Sequence, residues 1–427
     1  MPVDLYTDQW IREELLPRSE IGGGEGYEPA NRVHRTDADV VVRTGDELAD
    51  ILDSRTEGVV WVPDDVELDL APHTYHLRGE TVLASDRGLD GSPGAKLFTR
   101  EKGVRSHAWA GGGATGVFHV HDDARLTALR LIGPQIDYFD NPRMPGYIPF
   151  PPQDTYAERK AQVYSPNRAR GMVVYDSGVE IDNIELAGWA NQGMYLGARE
   201  WSAGTPSIHH IDGHNCMKTS AGYVIDVVRG HPTITDSYFN AARHPLCGFG
   251  HEDGGYTLEN CLFGPTFSSH ILDMHRVGNN MSGSDDPEHR EWKYRAGGRI
   301  DVRRCTFVET HIPPASEGIN FSPGRLNPVA SIRGVPKEGV RIERCHIPHE
   351  SPEDAFAQSG VPAAYQDENG YCNFSWTDNQ YGMSRHYPGY GCELNLEDPM
   401  DGEPLLSAER REAYGDGIGR LRRTLGI

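Results

Sequence analysis

Lysine is scarce in this sequence. Of 427 residues, 63 are Asp or Glu and 41 are Lys or Arg, and six of those 41 are lysines, so the formal net charge is −22. Such an acid excess repels the phosphate backbone, which argues against nucleic acid as a partner. It also keeps a protein soluble in concentrated salt, where charge repulsion is strongly screened. We therefore expect a halophilic, archaeal-type protein; a GC-rich genome that favours arginine is the alternative explanation.

Long apolar runs and a recognisable leader are also missing. No segment approaches the ~20 apolar residues of a membrane span, so no membrane span is expected. The segment Met1–Trp10 has neither a basic nor an apolar stretch, so no secretion signal is visible.

Cysteine usage gives no disulfide framework. There are seven cysteines, an odd number. Cys261, Cys305 and Cys345 fall at one equivalent position in successive repeats, where earlier repeats carry Leu or Ile. We expect these thiols to point inward as a ladder of small hydrophobic side chains, and we assign no metal to them.

A short repeat organises the chain. Each unit begins with an apolar segment that carries an acid at the same place, as in Gly222–Arg229, Gly248–Asp253 and His270–Arg276. A second segment follows each one: Thr233–Phe239, Thr257–Phe263 and Asp301–Phe307. Strand-type alternation inside a repeat of ~20–30 residues is typical of a solenoid. The sequence therefore predicts an all-β fold, a parallel β-helix.

Three regions are expected along the chain. Residues 1–37 are interpreted as an N-terminal arm, serving as linker, attachment segment or edge cover. Residues 38–350 form the parallel β-helix, with a short capping helix near 44–53 for which Thr44 is the N-cap. Residues 351–427 lose the repeat and form an irregular C-terminal extension that ends in a helix.

The start of the repeat resembles the pectate-lyase-like superfamily of right-handed parallel β-helices. The resemblance is carried by Val60-Trp-Val-Pro63 and Val82–Gly91, and it covers roughly residues 38–350. It implies a right-handed helix that acts on polysaccharides along the outer face of one sheet, as lyases, hydrolases, epimerases and viral tailspikes do. The lysine or arginine base motif of pectate lyases and the Asn-Thr-Asp, Asp-Asp and Arg-Ile-Lys signatures of polygalacturonases are not found, so no single activity follows.

Alternation along the first segments defines the candidate site. Their second and fourth residues are mostly apolar and should point inward, so the third and fifth point outward. The column predicted on this exposed face comprises Tyr175, Asp226, Glu252, Asp273 and Ser322. Because rungs lie ~4.8 Å apart, stacked acids resist ionising together, and at least one pKa should rise. A raised pKa is what a general acid needs.

We interpret Asp226, Glu252 and Asp273 as the candidate catalytic acid, base or nucleophile of a glycoside hydrolase. Adjacent rungs match the ~5 Å of a retaining pair, and alternate rungs match the ~6.5–9.5 Å of an inverting pair. Two other interpretations stay open. The acids are a solvated ladder, or they hold Ca²⁺, since hard cations take clustered carboxylates. No cofactor is required, and no metal ligands are assigned.

Candidate substrate-binding residues surround the column. Arg229 and Arg276 each follow an acid by three residues and could hold acids in place or bind an anionic sugar bidentately. His275 lies beside the column and could carry protons. The aromatic candidates are Tyr175, Tyr195, Trp201 and Trp292, of which the tryptophans could stack on sugar faces or pack within their own loops.

Two classes of function follow from these patterns. The first is an enzyme that cleaves a polysaccharide, with a hydrolase favoured over a lyase. The second is a glycan-binding protein without catalysis, such as a virion tailspike or a surface adhesin. In that case the arm would serve attachment, and a homotrimer or larger assembly is expected. An extracellular or virion-associated place is favoured for both, and a cytoplasmic sugar-modifying enzyme is a third alternative.

Overall fold

The computed structural model describes residues 21–28, 31–101, 116–134, 169–198, 201–216, 221–264, 269–276, 294–307 and 328–381. Across these residues the chain winds through three all-parallel sheets, which confirms the predicted right-handed parallel β-helix. Through most of the solenoid each turn adds one strand to each sheet, so most neighbouring strands are three apart in the chain. Right-handed crossovers are the rule for parallel strands of one sheet.

Sheet 1 has eleven strands, sheet 2 has eight and sheet 3 has nine. Sheet 1 comprises β1 (Val40–Val41), β2 (Glu57–Trp61), β5 (Glu80–Ala84), β8 (Arg125–Thr127), β11 (Glu180–Asp182), β14 (Ser207–His209), β17 (Thr233–Thr235), β20 (Tyr256–Glu259), β23 (Arg299–Arg303), β26 (Gly339–Glu343) and β28 (Phe374–Thr377). Sheet 2 comprises β3 (Glu67–Asp69), β6 (Lys96–Phe98), β9 (Arg130–Ile132), β12 (Glu185–Ala187), β15 (Asp212–Cys216), β18 (Tyr238–Ala242), β21 (Leu262–Phe263) and β24 (Thr306–Phe307). Sheet 3 comprises β4 (Tyr75–Leu77), β7 (Phe118–Val120), β10 (Arg170–Val174), β13 (Gln192–Leu196), β16 (Tyr223–Val227), β19 (His244–Gly248), β22 (Leu272–Met274), β25 (Ala330–Ile332) and β27 (Phe356–Gln358). The sheets thus continue through β28, so the repeat runs to Thr377.

The expected short N-terminal helix is α1 (Gly45–Ser54). Thr44 Oγ1 accepts a hydrogen bond from the Glu47 N–H, and the Glu47 carboxylate accepts one from the Thr44 N–H, which makes a capping box. Leu48 and Leu52 on its inner face are buried in the core. A second, one-turn helix, α2 (Pro352–Ala355), and two 3₁₀ turns (Arg35–Asp37, Ala363–Tyr365) complete the described helices. None of the helices in the described ranges is long and apolar enough to cross a membrane.

A column of left-handed residues turns each rung from sheet 1 into sheet 2. It comprises Ala128, Asn183, His210, Asp236, Asn260, Arg304 and Arg344, whose φ values lie between 48° and 59°. Asn and Asp tolerate this conformation because their short polar side chains bond locally. The bend divides what the sequence suggested as one segment, Thr233–Phe239, into β17 and β18.

The core is a set of side-chain columns enclosed by the three sheets. The rings of Phe239 and Phe263 stack with centroids 5.4 Å apart, and those of Phe263 and Phe307 with centroids 4.7 Å apart. The thiol ladder is confirmed, since the cysteines at positions 261, 305 and 345 are all buried in this core. The cysteines in the described ranges are free thiols.

The described part of the expected N-terminal arm lies against sheet 1. The Gly24 N–H donates to Asn183 Oδ1 at 2.8 Å, and Arg125 Nη1 donates to the Asn31 carbonyl at 2.8 Å. Arg125 also holds the fully buried Asp182 carboxylate through Nε and Nη2, at 2.8 and 3.0 Å. This segment therefore covers part of the outer face of the solenoid.

Phe263→Ala should lower the free energy of unfolding by about 3–5 kcal/mol, because it removes the middle ring of the stack and leaves a cavity. Chemical denaturation followed by circular dichroism measures the change. Tyr365→Ala, at a side chain that is 63% exposed, should change it by less than about 0.5 kcal/mol. Equal effects of the two substitutions would contradict the stacked core.

Candidate functional site on sheet 3

The outer face of sheet 3 carries one continuous column of side chains. In register from β4 to β27, this sheet 3 column comprises His76, His119, Val173, Tyr195, Asp226, Cys247, Asp273, Ser331 and Ala357. The residues that flank Asp226 in its strand, Ile225 and Val227, belong to the core. The expected alternation therefore holds, and it places Asp226 and Asp273 in one column, together with Tyr195. Two expectations are wrong: Val173 occupies the rung expected for Tyr175, which follows β10, and the two aspartates are fully buried where an exposed face was expected.

The register expected for Glu252 is wrong. The rung between Asp226 and Asp273 is β19, so Cys247 lies between the two aspartates. Glu252 follows β19 in a turn, where its carboxylate lies 3.0 Å from Lys337 Nζ. The predicted column of acids on three adjacent rungs is therefore replaced by two aspartates with the Cys247 thiol between them.

The physical reason lies at the start of β19. Its second residue is Pro245, which lacks the N–H that a ladder needs and is unusual inside a strand, whereas Gly248 begins a segment that looks like its neighbours. A correct signal was present nonetheless. His244-Pro-Leu-Cys247 and His270-Ile-Leu-Asp273 share the spacing His-x-Leu-x, which aligns these two rungs as the structure does.

Some of the other predicted site residues lie near the sheet 3 column, and some lie outside the described residues. Arg229 forms an ion pair with Asp253, with Nη2 and Oδ2 2.8 Å apart, and Arg276 is half-buried just beyond sheet 3. Tyr175 and Trp201 stack face to face with centroids 4.2 Å apart. Trp292 and Ser322 lie outside the described residues, and Ser331 occupies the rung after Asp273.

Asp226 is fully buried within the column. Its Oδ2 accepts a hydrogen bond from Gln192 Nε2 at 2.9 Å, and Gln192 Oε1 accepts one from Arg170 Nε at 2.9 Å. The Arg170 guanidinium lies over the Tyr195 ring, 3.9 Å from its centroid. Burial raises the pKa of Asp226 to about 8, against the opposing effects of Gln192 and Arg170. The expected rise thus comes mainly from burial and less from repulsion by Asp273, and Asp226 keeps its proton at neutral pH.

Asp273 is equally buried but lies beside an arginine and two histidines. His275 Nε2 lies 2.8 Å and Arg333 Nη2 lies 3.0 Å from its Oδ2, and His270 Nε2 lies 3.1 Å from its Oδ1. Burial disfavours ionisation, but His275 and His270 outweigh it and hold the pKa of Asp273 well below its usual value. Asp273 is therefore an ionised carboxylate two rungs from a protonated one.

Sequence reasoning missed several members of this site. They are Arg170, Gln192, His244, Cys247, His270 and Arg333. The Cys247 thiol lies 3.9 Å from Asp273 Oδ2, and burial raises its pKa well above the usual value, so it is a neutral thiol. Arg333 stands 60 positions from Asp273 in the chain, and no local pattern marks it.

Four groups of described residues bring metal-ligand atoms within 4.8 Å of one another. They are His76, His119 and His121; His244, His270 and Asp273; Cys247, Asp273 and His275; and Glu180, Asp182 and His209. In the last group Arg125 already pairs with both acids, and Arg333 already pairs with Asp273. Calcium prefers oxygen donors, whereas nitrogen and sulfur predominate around Asp273. Asp226 stands two rungs away, too far for both aspartates to bind one ion.

Asp226→Asn should stabilise the chain above neutral pH relative to wild type. The folded pKa of about 8 lies above the ordinary value of 3.8, so between these values the folded state binds a proton that the unfolded state has lost. Wild-type stability must then fall as pH rises from about 4 to about 8. The asparagine does not titrate and can still accept a hydrogen bond from Gln192. It should therefore remove this contribution to the fall of the unfolding free energy with pH.

Denaturant unfolding at several pH values measures the difference between the two proteins. Asp176→Asn, at an acid with 46% of its side chain exposed, is the control and should leave the slope nearly unchanged. Parallel curves for wild type and Asp226→Asn would contradict a protonated Asp226.

Comparison with known proteins assigns this chain to no family. No family model matches it, and no curated protein matches it. The functional interpretation therefore depends on the geometry of the sheet 3 column and the side chains that contact it.

Proposed function

We propose that the chain binds a polysaccharide along the sheet 3 column and hydrolyses a glycosidic bond with Asp226 as the acid and Asp273 as the base. The observation that carries this proposal is a pair of aspartates on one face, two rungs apart, whose different contacts shift their pKa values in opposite directions. A resemblance to pectate-lyase-like proteins, carried by Val60–Pro63 and Val82–Gly91, supports the substrate class.

Glycoside hydrolysis with inversion needs this asymmetry. The protonated carboxyl of Asp226 gives its proton to the leaving oxygen as the bond from that oxygen to the anomeric carbon breaks. A water molecule attacks the anomeric carbon from the other face and loses a proton toward Asp273. Both atoms and charge balance, since one proton leaves Asp226 and one is gained at Asp273.

The spacing favours inversion over retention. Two rungs separate the backbones of the aspartates by about 10 Å, which is nearer to the ~6.5–9.5 Å of inverting pairs than to the ~5 Å of retaining pairs. A retaining pair at ~5 Å needs adjacent rungs, and that place is taken by the Cys247 thiol.

His275 and Arg333 connect Asp273 to the surface. Both contact its Oδ2, and both are partly exposed, whereas Asp273 has no exposed surface. We assign His275 as the proton carrier between water and Asp273, and Arg333 as the cation that an acidic sugar would meet. His275 was a substrate-side candidate from the sequence alone, and its 2.8 Å contact supports that role.

An aromatic platform lies on the same side of the solenoid. The Tyr175 ring is stacked between Trp201, at 4.2 Å, and His121, at 4.3 Å, and all three are half-buried. Tyr175 directly follows β10, which lies two rungs before Asp226. Flat rings suit the apolar faces of sugars. Since both faces of Tyr175 are covered by its two neighbours, we assign Trp201 to a neighbouring sugar subsite and Tyr175 to its support.

The second candidate function is glycan binding without cleavage, as in a virion tailspike or an adhesin. The observation that favours it is the complete burial of both aspartates beside a half-exposed aromatic platform. For both functions we favour an extracellular or virion-associated glycan, and they differ in whether a product forms.

Reducing-end release from acidic and neutral polysaccharides, in concentrated salt, tests the enzyme. Asp226→Asn and Asp273→Asn should each lower the rate at least about 100-fold, because each removes one proton-transfer group. Glu343→Gln, an acid on sheet 1, is the control and should retain the wild-type rate.

Other outcomes of this assay are equally informative. New ultraviolet absorbance in the product would mean β-elimination and would contradict hydrolysis. A loss in Glu252→Gln as large as that in Asp273→Asn would contradict the assignment by register. Glycan binding by the wild type without any product would contradict the enzyme and support the second candidate function, glycan binding without cleavage.

A further inference from the structure

Three histidines meet on the outer face of sheet 3, toward its N-terminal end. His76 in β4 and His119 in β7 are register partners, and His121 follows β7 directly. One ligand nitrogen from each lies within 4.8 Å of the other two. The His76 ring centroid lies 4.9 Å from that of His119 and 6.0 Å from that of His121.

Two of these rings have an oxygen near one nitrogen, and in His119 this contact is a hydrogen bond. His119 Nδ1 lies 2.8 Å from the Tyr175 hydroxyl oxygen, and His121 Nδ1 lies 3.6 Å from Asp176 Oδ2. A metal-binding histidine characteristically uses one nitrogen for the ion and fixes the other on a neighbouring oxygen. The contact of His119 Nδ1 with Tyr175 is an anchor of this kind.

His76 contributes an unsatisfied atom. Its Nδ1 is buried and has no hydrogen-bond partner among the residues that the structure describes. A buried polar atom without a partner costs free energy, and native proteins usually fill such a place with a hydrogen bond, water or an ion.

We propose that His76, His119 and His121 bind one transition-metal ion of the zinc class. The donor set is three imidazole nitrogens, which suits Zn²⁺, Cu²⁺, Ni²⁺ or Co²⁺ and does not suit Ca²⁺ or Mg²⁺. Three histidines leave a fourth position open, and the half-exposed His76 and His121 give it access to solvent. The group of His244, His270 and Asp273 is the weaker candidate, because Arg333 and His275 already contact the Asp273 carboxylate.

This site goes beyond the proposed function and does not depend on it. His119 lies three rungs from Asp226 along the sheet 3 column. It also contacts Tyr175, so an ion held by His119 would fix the hydroxyl end of the aromatic platform through the 2.8 Å contact.

Zinc titration of the full, chelator-treated chain by calorimetry tests the site, with Co²⁺ absorption as a second readout. We expect one ion per chain. His76→Gln and His121→Gln should each weaken binding by about 100-fold or more, since each removes a ligand, and Tyr175→Phe should weaken it by about 10-fold, since it removes an anchor. His73→Gln is the matched control. His73 is a nearby histidine that binds Asp46 and is not part of the group, and its substitution should leave the affinity unchanged.

Two results would overturn the proposal. One is the absence of stoichiometric zinc or cobalt binding by the wild-type chain. The other is binding that survives in His76→Gln and His121→Gln but disappears in His244→Gln, which would place the ion at the buried group. Circular dichroism of each variant shows whether it is folded, and Tyr175→Phe, which deletes a single hydroxyl, tests the site without removing a ring.

Discussion

Parallel register between stacked rungs is the constraint on which this structure depends. Each strand pairs residue for residue with the strand one turn away, so a position in one rung repeats as a column ~4.8 Å apart in all of them. Inside the solenoid the repetition builds stacks such as Phe239, Phe263 and Phe307. Outside, it places polar groups next to one another even where their charges repel. The protonation state of each group then depends on the side chains that contact it.

The two aspartates show how contacting side chains set a protonation state. Asp226 and Asp273 share a column, a depth and a side-chain type, yet one is neutral and the other ionised. Asp226 contacts the uncharged amide of Gln192, which stands between it and Arg170. Asp273 contacts Arg333 and His275 directly. The asymmetry that acid–base chemistry needs thus comes from contacts made beside the column, while the backbone fixes the spacing.

Periodicity made much of the fold predictable from the sequence. Alternation and the repeat length indicated the parallel β-helix, the inward thiols and the shared face of Asp226 and Asp273. The predicted register was wrong at β19, because Pro245 is unusual inside a strand and Gly248 looks like the first residue of one. The bends were missed because one left-handed residue, such as Asp236 or Asn260, turns the chain without a loop. Arg333 could not be found at all, since only the coiling of the chain brings it to Asp273.

The protonation state of Asp226 tests the central claim most directly. Carboxyl carbon resonances of ¹³C-labelled aspartate report each buried acid separately when they are followed between about pH 5 and about pH 9, a range that lies above the ordinary pKa of aspartate and includes the shifted one. We predict one aspartic acid that stays protonated at pH 7 and titrates near pH 8, with its signal missing in Asp226→Asn and retained in Asp273→Asn. If every aspartate is ionised at pH 7, or if the titrating signal survives in Asp226→Asn, the assignment of acid and base on the sheet 3 column is wrong.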